Sequence, residues 1–122
     1  MFDLGADLAT PGNDFAPSAS ALRIIASQVA KLEQAIDALN ADLAPLTSFV
    51  LPGGHPAAAA LHVARATVRR AERACVATDR ESAVNPEVLA YLNRLSDYLF
   101  VAARAVNHAR GGDVMWVPGA SR

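Results

Sequence analysis

The chain has 122 residues, 52% of them hydrophobic, with 11 basic side chains against 12 acidic ones. That is enough for a single domain spanning 1–122, and it carries no surplus charge to draw a nucleic acid or a membrane surface. No apolar run approaches the about 20 residues that cross a bilayer, the N-terminus lacks a leader pattern, and the lone cysteine, Cys75, can build neither an internal disulfide nor a multi-thiolate metal site, so a reduced, cytoplasmic setting is expected.

The first predicted element is the helix SASALRIIASQVAKLEQAIDALNADLAP, with Ser18 or Ser20 at its cap and Pro45 at its end. Leu22, Ile25, Val29, Leu32, Ile36, Leu39 and Leu43 recur at alternating spacings of three and four, the seam of a packed helix. The loop TSFVLPGGHP follows, with paired glycines and two prolines. A second helix is expected from Pro56, a favourable first-turn proline, to Ala77, and a third from Asn85-Pro86 to the glycine pair Gly111-Gly112. The tail DVMWVPG reads as extended. The sum is an all-α antiparallel helical bundle.

The second helix contains HVARATVRRAERACVA, in which Arg65, Arg69, Arg70, Arg73 and Glu72 interrupt small apolar residues. With Leu61 at zero and about 100° per residue, Ala64, Val68 and Cys75 make the buried stripe, Glu72 and Arg65 fall within about 40° of it, Arg69 borders it at about 80°, and Arg70 and Arg73 point further away. Two readings fit: arginines that snorkel to water with Glu72 in ordinary intrahelical pairs, or Arg65 and Arg69 lining an anion cleft with Glu72 orienting a guanidinium. On the third helix, Val88, Leu92, Leu95, Leu99 and Val106 form one apolar face, while Asn93, Asp97, Phe100 and Arg104 share another. That second face is either a site or a solvated stripe in which Asp97 pairs with Arg94 or Arg104.

Taken together, FDLGADLATP, SFVLPGG, HVARATVRRAER, YLNRLSDYLFVAAR and GDVMWVPG resemble, in order and spacing, the PduO-type ATP:cob(I)alamin adenosyltransferases. The resemblance runs over essentially the whole chain. It implies a ferritin-like bundle assembled as a homotrimer, with ATP and Mg2+ at one side of each site and cobalamin at the other. The implied reaction moves the 5′-deoxyadenosyl group of ATP to cob(I)alamin, giving adenosylcobalamin and triphosphate. Cobalt is the nucleophile, so the protein positions the reactants, stabilises the leaving triphosphate and keeps water out.

Residue by residue, the resemblance makes Arg65, Arg69 and Glu72 the catalytic set, with Arg65 also in subunit pairing. It gives Arg69, Glu72 and Asn93 to the nucleotide, Phe49 to the lower face of the corrin ring, and Asp97 to support of the arginine network. No metal-ligand set is implied. The family's opening threonine- and glycine-rich phosphate loop and its first long helix have no match here. LPGGHP lacks the lysine and hydroxyl of a phosphate cradle and does not replace them. The chain therefore reads as N-terminally truncated, through a misassigned start, a truncation or divergence. Impaired turnover is expected, and a corrinoid-binding or scaffold remnant is the alternative role.

Overall fold

The computed structural model describes residues 1–120, in which four helices occur in the order α1 (Phe2–Ala9), α2 (Ala26–Asn40), α3 (Pro56–Thr78) and α4 (Pro86–His108). Among the described residues no strand forms. The one extended pairing is an isolated antiparallel bridge between Val50 and Met115. The all-α expectation therefore holds, and no described helix is long and apolar enough to cross a membrane.

α3 and α4 start as their sequences dictate. Each has proline in its first turn, where an N–H would lack an intrahelical partner anyway. The preceding residue supplies the cap: His55 Nδ1 accepts from Ala57 N at 3.2 Å, and Asn85 Oδ1 accepts from Glu87 N at 3.0 Å. α4 then packs against both α3 and α2 and touches α1, whereas α2 and α3 do not meet. Hence α4 is buried along more than one face: Val88 and Leu92 join Leu4, Ile24, Val68 and Cys75 in the core, and Ser96, Ala103, Arg104 and Asn107 are buried as well.

The first predicted helix is corrected at both ends. It begins at Ala26 rather than Ser18 or Ser20 and finishes at Asn40 rather than at Pro45. Leu22 and Ile25, placed on its seam by periodicity, lie outside it and are exposed, while Arg23 and Ile24 are the buried pair. The cause is tertiary. The Asp7 carboxylate, 3% exposed, accepts from Ile24 N at 2.7 Å, from Asn85 Nδ2 at 2.7 Å and from the Arg23 guanidinium at 2.9 Å. A helix through these residues would commit Ile24 N to a carbonyl four positions back and leave Asp7 a donor short. Ser18 instead closes a local turn, its Oγ accepting from Ala21 N at 3.1 Å. α1, not predicted as a helix, is needed to place Asp7.

Candidate functional site

Two groups of side chains occupy one face of α3, one helical turn apart. At the upper turn Glu72 joins two elements: one carboxylate oxygen takes Arg69 and the other accepts from Asn93 Nδ2 of α4 at 3.1 Å. Three expected site residues are thus brought together. The Glu72 side chain is only 15% exposed against 43% for Arg69, so the pair sits at the rim of the α3–α4 groove and is not fully screened by water. Glu72 engages a single Arg69 nitrogen, which leaves the rest of the planar fork for an outside anion. Arg70 and Arg73 are exposed, as their helical angles predicted.

About 6 Å along the axis, at 1.5 Å per residue, stands Arg65. Its guanidinium carbon lies 5.3 Å from the centre of the Phe100 ring, and its Nε is buried with no partner among the described residues. Arg65 and Phe100 line a cleft of about 690 Å³ together with Phe49, Val50, Ser48 and Trp116. Phe49 is 77% exposed, a costly position for an aromatic ring unless something covers it. Among the described residues its one aromatic neighbour is Trp116, edge-on at 6.0 Å.

The loop bearing Phe49 is held by the tail. Leu51 N donates to Val114 O and Trp116 N to Phe49 O, both at 2.8 Å, and Ser48 Oγ donates to Trp116 O at 2.7 Å. The tail is extended, as predicted, but its pairing with SFVLP was invisible in the sequence. Two segments that short carry no periodic signal of their own partner.

Asp97 and Arg104 behave differently from the face they share in sequence. The arginine that Asp97 holds is Arg94, at 2.7 Å, and Arg94 also reaches Glu33 of α2 at 3.2 Å. Asp97 thus holds the arginine that joins α4 to α2, and among the described residues it makes no ion pair with Arg65 or Arg69. Arg104 is 8% exposed, bonded to Asp113 at 2.8 Å and to the Ala44 carbonyl at 2.8 Å. It is a buried latch, not part of an open stripe.

His62 was missed. It lies 9% exposed beside the cleft residue Phe100, its ring edge-on to that ring at 6.2 Å and its Nε2 without a partner among the described residues. Burial, helped by the nearby Arg65 charge and opposed by Asp113, lowers its pKa below the ordinary 6.5. The signal was available: His62 is one position from Leu61 on a stripe that proves broader than assumed, since Ala58 is also buried. No group of three or more acidic, histidine or cysteine side chains able to hold a metal occurs among the described residues.

The family model for cobalamin adenosyltransferase matches residues 1–106. The corrinoid adenosyltransferase of Mycobacterium tuberculosis is 50% identical over 124 residues, covering 100% of this chain and 63% of the relative, and that of Bacillus subtilis is 45% identical over 93% of this chain and 57% of the relative. Among solved structures, a phenylalanine-to-alanine variant of the PduO-type ATP:corrinoid adenosyltransferase from Lactobacillus reuteri, complexed with cobalamin and ATP, is similar with a TM-score of 0.80 and 42% identity, over 94% of this chain and 63% of that one. An arginine-to-lysine variant complexed with ATP gives a TM-score of 0.81 and 40% identity, over 95% of this chain and 64% of that one. The chain spans about 63% of the length of the mycobacterial relative.

Proposed function

The chain belongs to the cobalamin adenosyltransferase family, and on that premise we propose that it serves transfer of the 5′-deoxyadenosyl group from ATP to cob(I)alamin, giving adenosylcobalamin and triphosphate. The observation that carries this reading is the adjacency, on one face of α3, of an arginine–carboxylate–amide cluster suited to a polyphosphate and an aromatic cleft suited to a flat macrocycle. Arg69 binds the triphosphate, with Glu72 and Asn93 fixing the direction of its guanidinium. Arg65 stands between the two halves, where its charge is available to the leaving group. Phe49 and Trp116 press on the corrin ring. The supernucleophilic cobalt forms the bond to the ribose 5′ carbon as the C5′–O bond to triphosphate breaks, so the protein contributes orientation, charge and dryness. Mg2+ enters with the ATP phosphates as part of the substrate. Assembly is proposed as a homotrimer and location as cytoplasmic.

A second reading rests on the cleft alone. Its aromatic wall is assembled wholly from this chain, which suits a corrinoid-binding or scaffold role without turnover.

Adenosylcobalamin formed from ATP and chemically reduced cobalamin decides between them. Arg69→Ala should lower kcat/KM for ATP by about 1.5–3 kcal/mol, the contribution of a charge-assisted bond, and Arg70→Ala should leave it near wild type. Equal effects of the two substitutions would return both arginines to the solvated helix surface. Corrinoid binding without product would favour the second reading.

A further inference from the structure

The loop that carries Phe49 is fastened at both ends to one turn of α4. At its start the Ala44 carbonyl accepts from Arg104 Nη2 at 2.8 Å, while Arg104 Nε holds Asp113 of the tail. At its end Asn107, 1% exposed, uses its carboxamide in both directions: Oδ1 accepts from His55 N at 3.0 Å and Nδ2 donates to the Gly53 carbonyl at 3.0 Å. Since one partner is a donor and the other an acceptor, the amide has a single satisfying orientation. Its own carbonyl accepts from Gly112 N at 2.8 Å, which turns the chain back toward the loop.

At Gly54 the turn that Asn107 grips admits no side chain. Gly54 has φ of +92°, and a Cβ there would fall 2.5 Å from Asn107 Oδ1. Every polar atom of the carboxamide is therefore met by residues flanking one turn, 52 to 54 positions away in sequence. Such a buried group, with its oxygen and its nitrogen both engaged, specifies one loop geometry. What that geometry presents at the cleft is the Phe49–Trp116 pair. Asn107, Asp113 and Trp116 all lie beyond residue 106, where the family match ends.

We propose that Asn107 is a positioning residue for the aromatic wall: by holding the Gly53–His55 turn, with the Arg104–Asp113 latch at the other end, it sets where Phe49 and Trp116 stand against a bound corrinoid. This rests on the cleft taking a corrinoid, as argued above. Asn107 touches no ligand. It acts through the loop, and because His55 caps α3 it also fixes where that helix begins.

Trp116 is the only tryptophan, so its emission reads the wall directly. The test compares wild type with Asn107→Ala and Gly54→Ala, using Trp116 emission and acrylamide quenching in the ligand-free protein, quenching of that emission on titration with hydroxocobalamin, and equilibrium binding of ATP. Both variants should keep their helical circular dichroism, expose Trp116 to acrylamide, and bind hydroxocobalamin about tenfold or more weakly, as expected when an anchor is lost from a preformed site. ATP affinity should stay within about twofold, because the Arg69–Glu72–Asn93 cluster shares no contact with this turn. A folded Asn107→Ala protein with unchanged Trp116 exposure and corrinoid affinity overturns the proposal, as does a loss that falls equally on ATP. If Asn107→Ala does not fold, Gly54→Ala decides by the same criteria from the loop side. Failure of wild type to bind hydroxocobalamin would remove the corrinoid reading, while the ligand-free Trp116 measurements would still judge the positioning role.

Discussion

His62 illustrates how one side chain joins stability to the cleft. Its ring is buried against Phe100 and faces Arg65 from its own helix and Asp113 from the tail. Desolvation is the larger influence and the Arg65 charge adds to it, so the folded protein favours the neutral ring. The unfolded chain takes up a proton near the ordinary 6.5, at a pH where the folded one still resists it. Between those two points the unfolded state binds more protons, and stability falls as pH falls. The contribution is whole above 6.5 and is lost below it. We expect urea unfolding from pH 7.5 to 5 to show a steeper loss of stability in wild type than in His62→Gln. Parallel profiles would remove His62 from the account. The helical pattern places His62 beside the buried stripe, but the Phe100 ring that packs on it comes from α4 and is not announced by the residues around it. Arg65, Arg69 and Glu72, by contrast, were legible, since a helical angle is a local property and Val68 and Cys75 fix the stripe they border.

Helix α2 was expected but misplaced at its start, and the reason is a knot of polar contacts joining three segments distant in sequence. Asp7 of α1 meets Arg23 and Ile24 of the following linker and Asn85 at the start of α4, and Asn85 Nδ2 also donates to the Ile24 carbonyl at 3.0 Å. Arg23 further reaches the carbonyls of Asp7 and Thr10. The side chains of the ion pair are 4% and 2% exposed. Local periodicity extended a helix across residues 18–25 because Leu22, Ile25 and Val29 match its spacing, but burying a carboxylate imposes a stronger demand than continuing a seam. α3 and α4 escaped this error. Proline and a capping residue at the start of each fix their N-termini locally, whatever packs against them later.

Asp7→Ala leaves the Arg23 guanidinium buried beside carbonyls with its counter-charge gone, and removes the acceptor of Ile24 N and Asn85 Nδ2. The expected loss is about 3–5 kcal/mol, as for one partner taken from a buried pair. Because the two residues act as a unit, Asp7→Ala combined with Arg23→Met should cost less than the sum of the single substitutions. Chemical denaturation of the four proteins measures this. A simple sum, with Asp7→Ala costing under about 1 kcal/mol, would show that the knot accompanies the fold without specifying it.

For the whole molecule, the central position of α4 has a consequence for assembly. With α2 and α3 on separate sides of it and not in contact, much of α3 is left to solvent, with Val63 at 68% exposure on its outer face and Val76 at 45% about 140° round the helix, both among alanines. Phe49 at 77% and Phe2 at 95% add to the apolar surface. Each valine or phenylalanine fully covered contributes roughly 1.5–3 kcal/mol, and soluble monomers seldom leave several such groups open together. The small residues of α3 let another backbone come close, which favours an ordered contact over a loose one. Arg65 sits on the same helix, with a buried Nε that has no partner among the described residues. The protein is therefore expected to self-associate, with a trimer as the proposed state. Light scattering coupled to size-exclusion chromatography over a concentration series checks it. Val63→Glu, on the exposed face and away from the Arg69 cluster, should shift the population toward monomer with helical content unchanged. A well-folded wild-type monomer at high concentration, or a Val63→Glu protein that associates as strongly as wild type, would mean that the outer face of α3 is not the one the molecule buries.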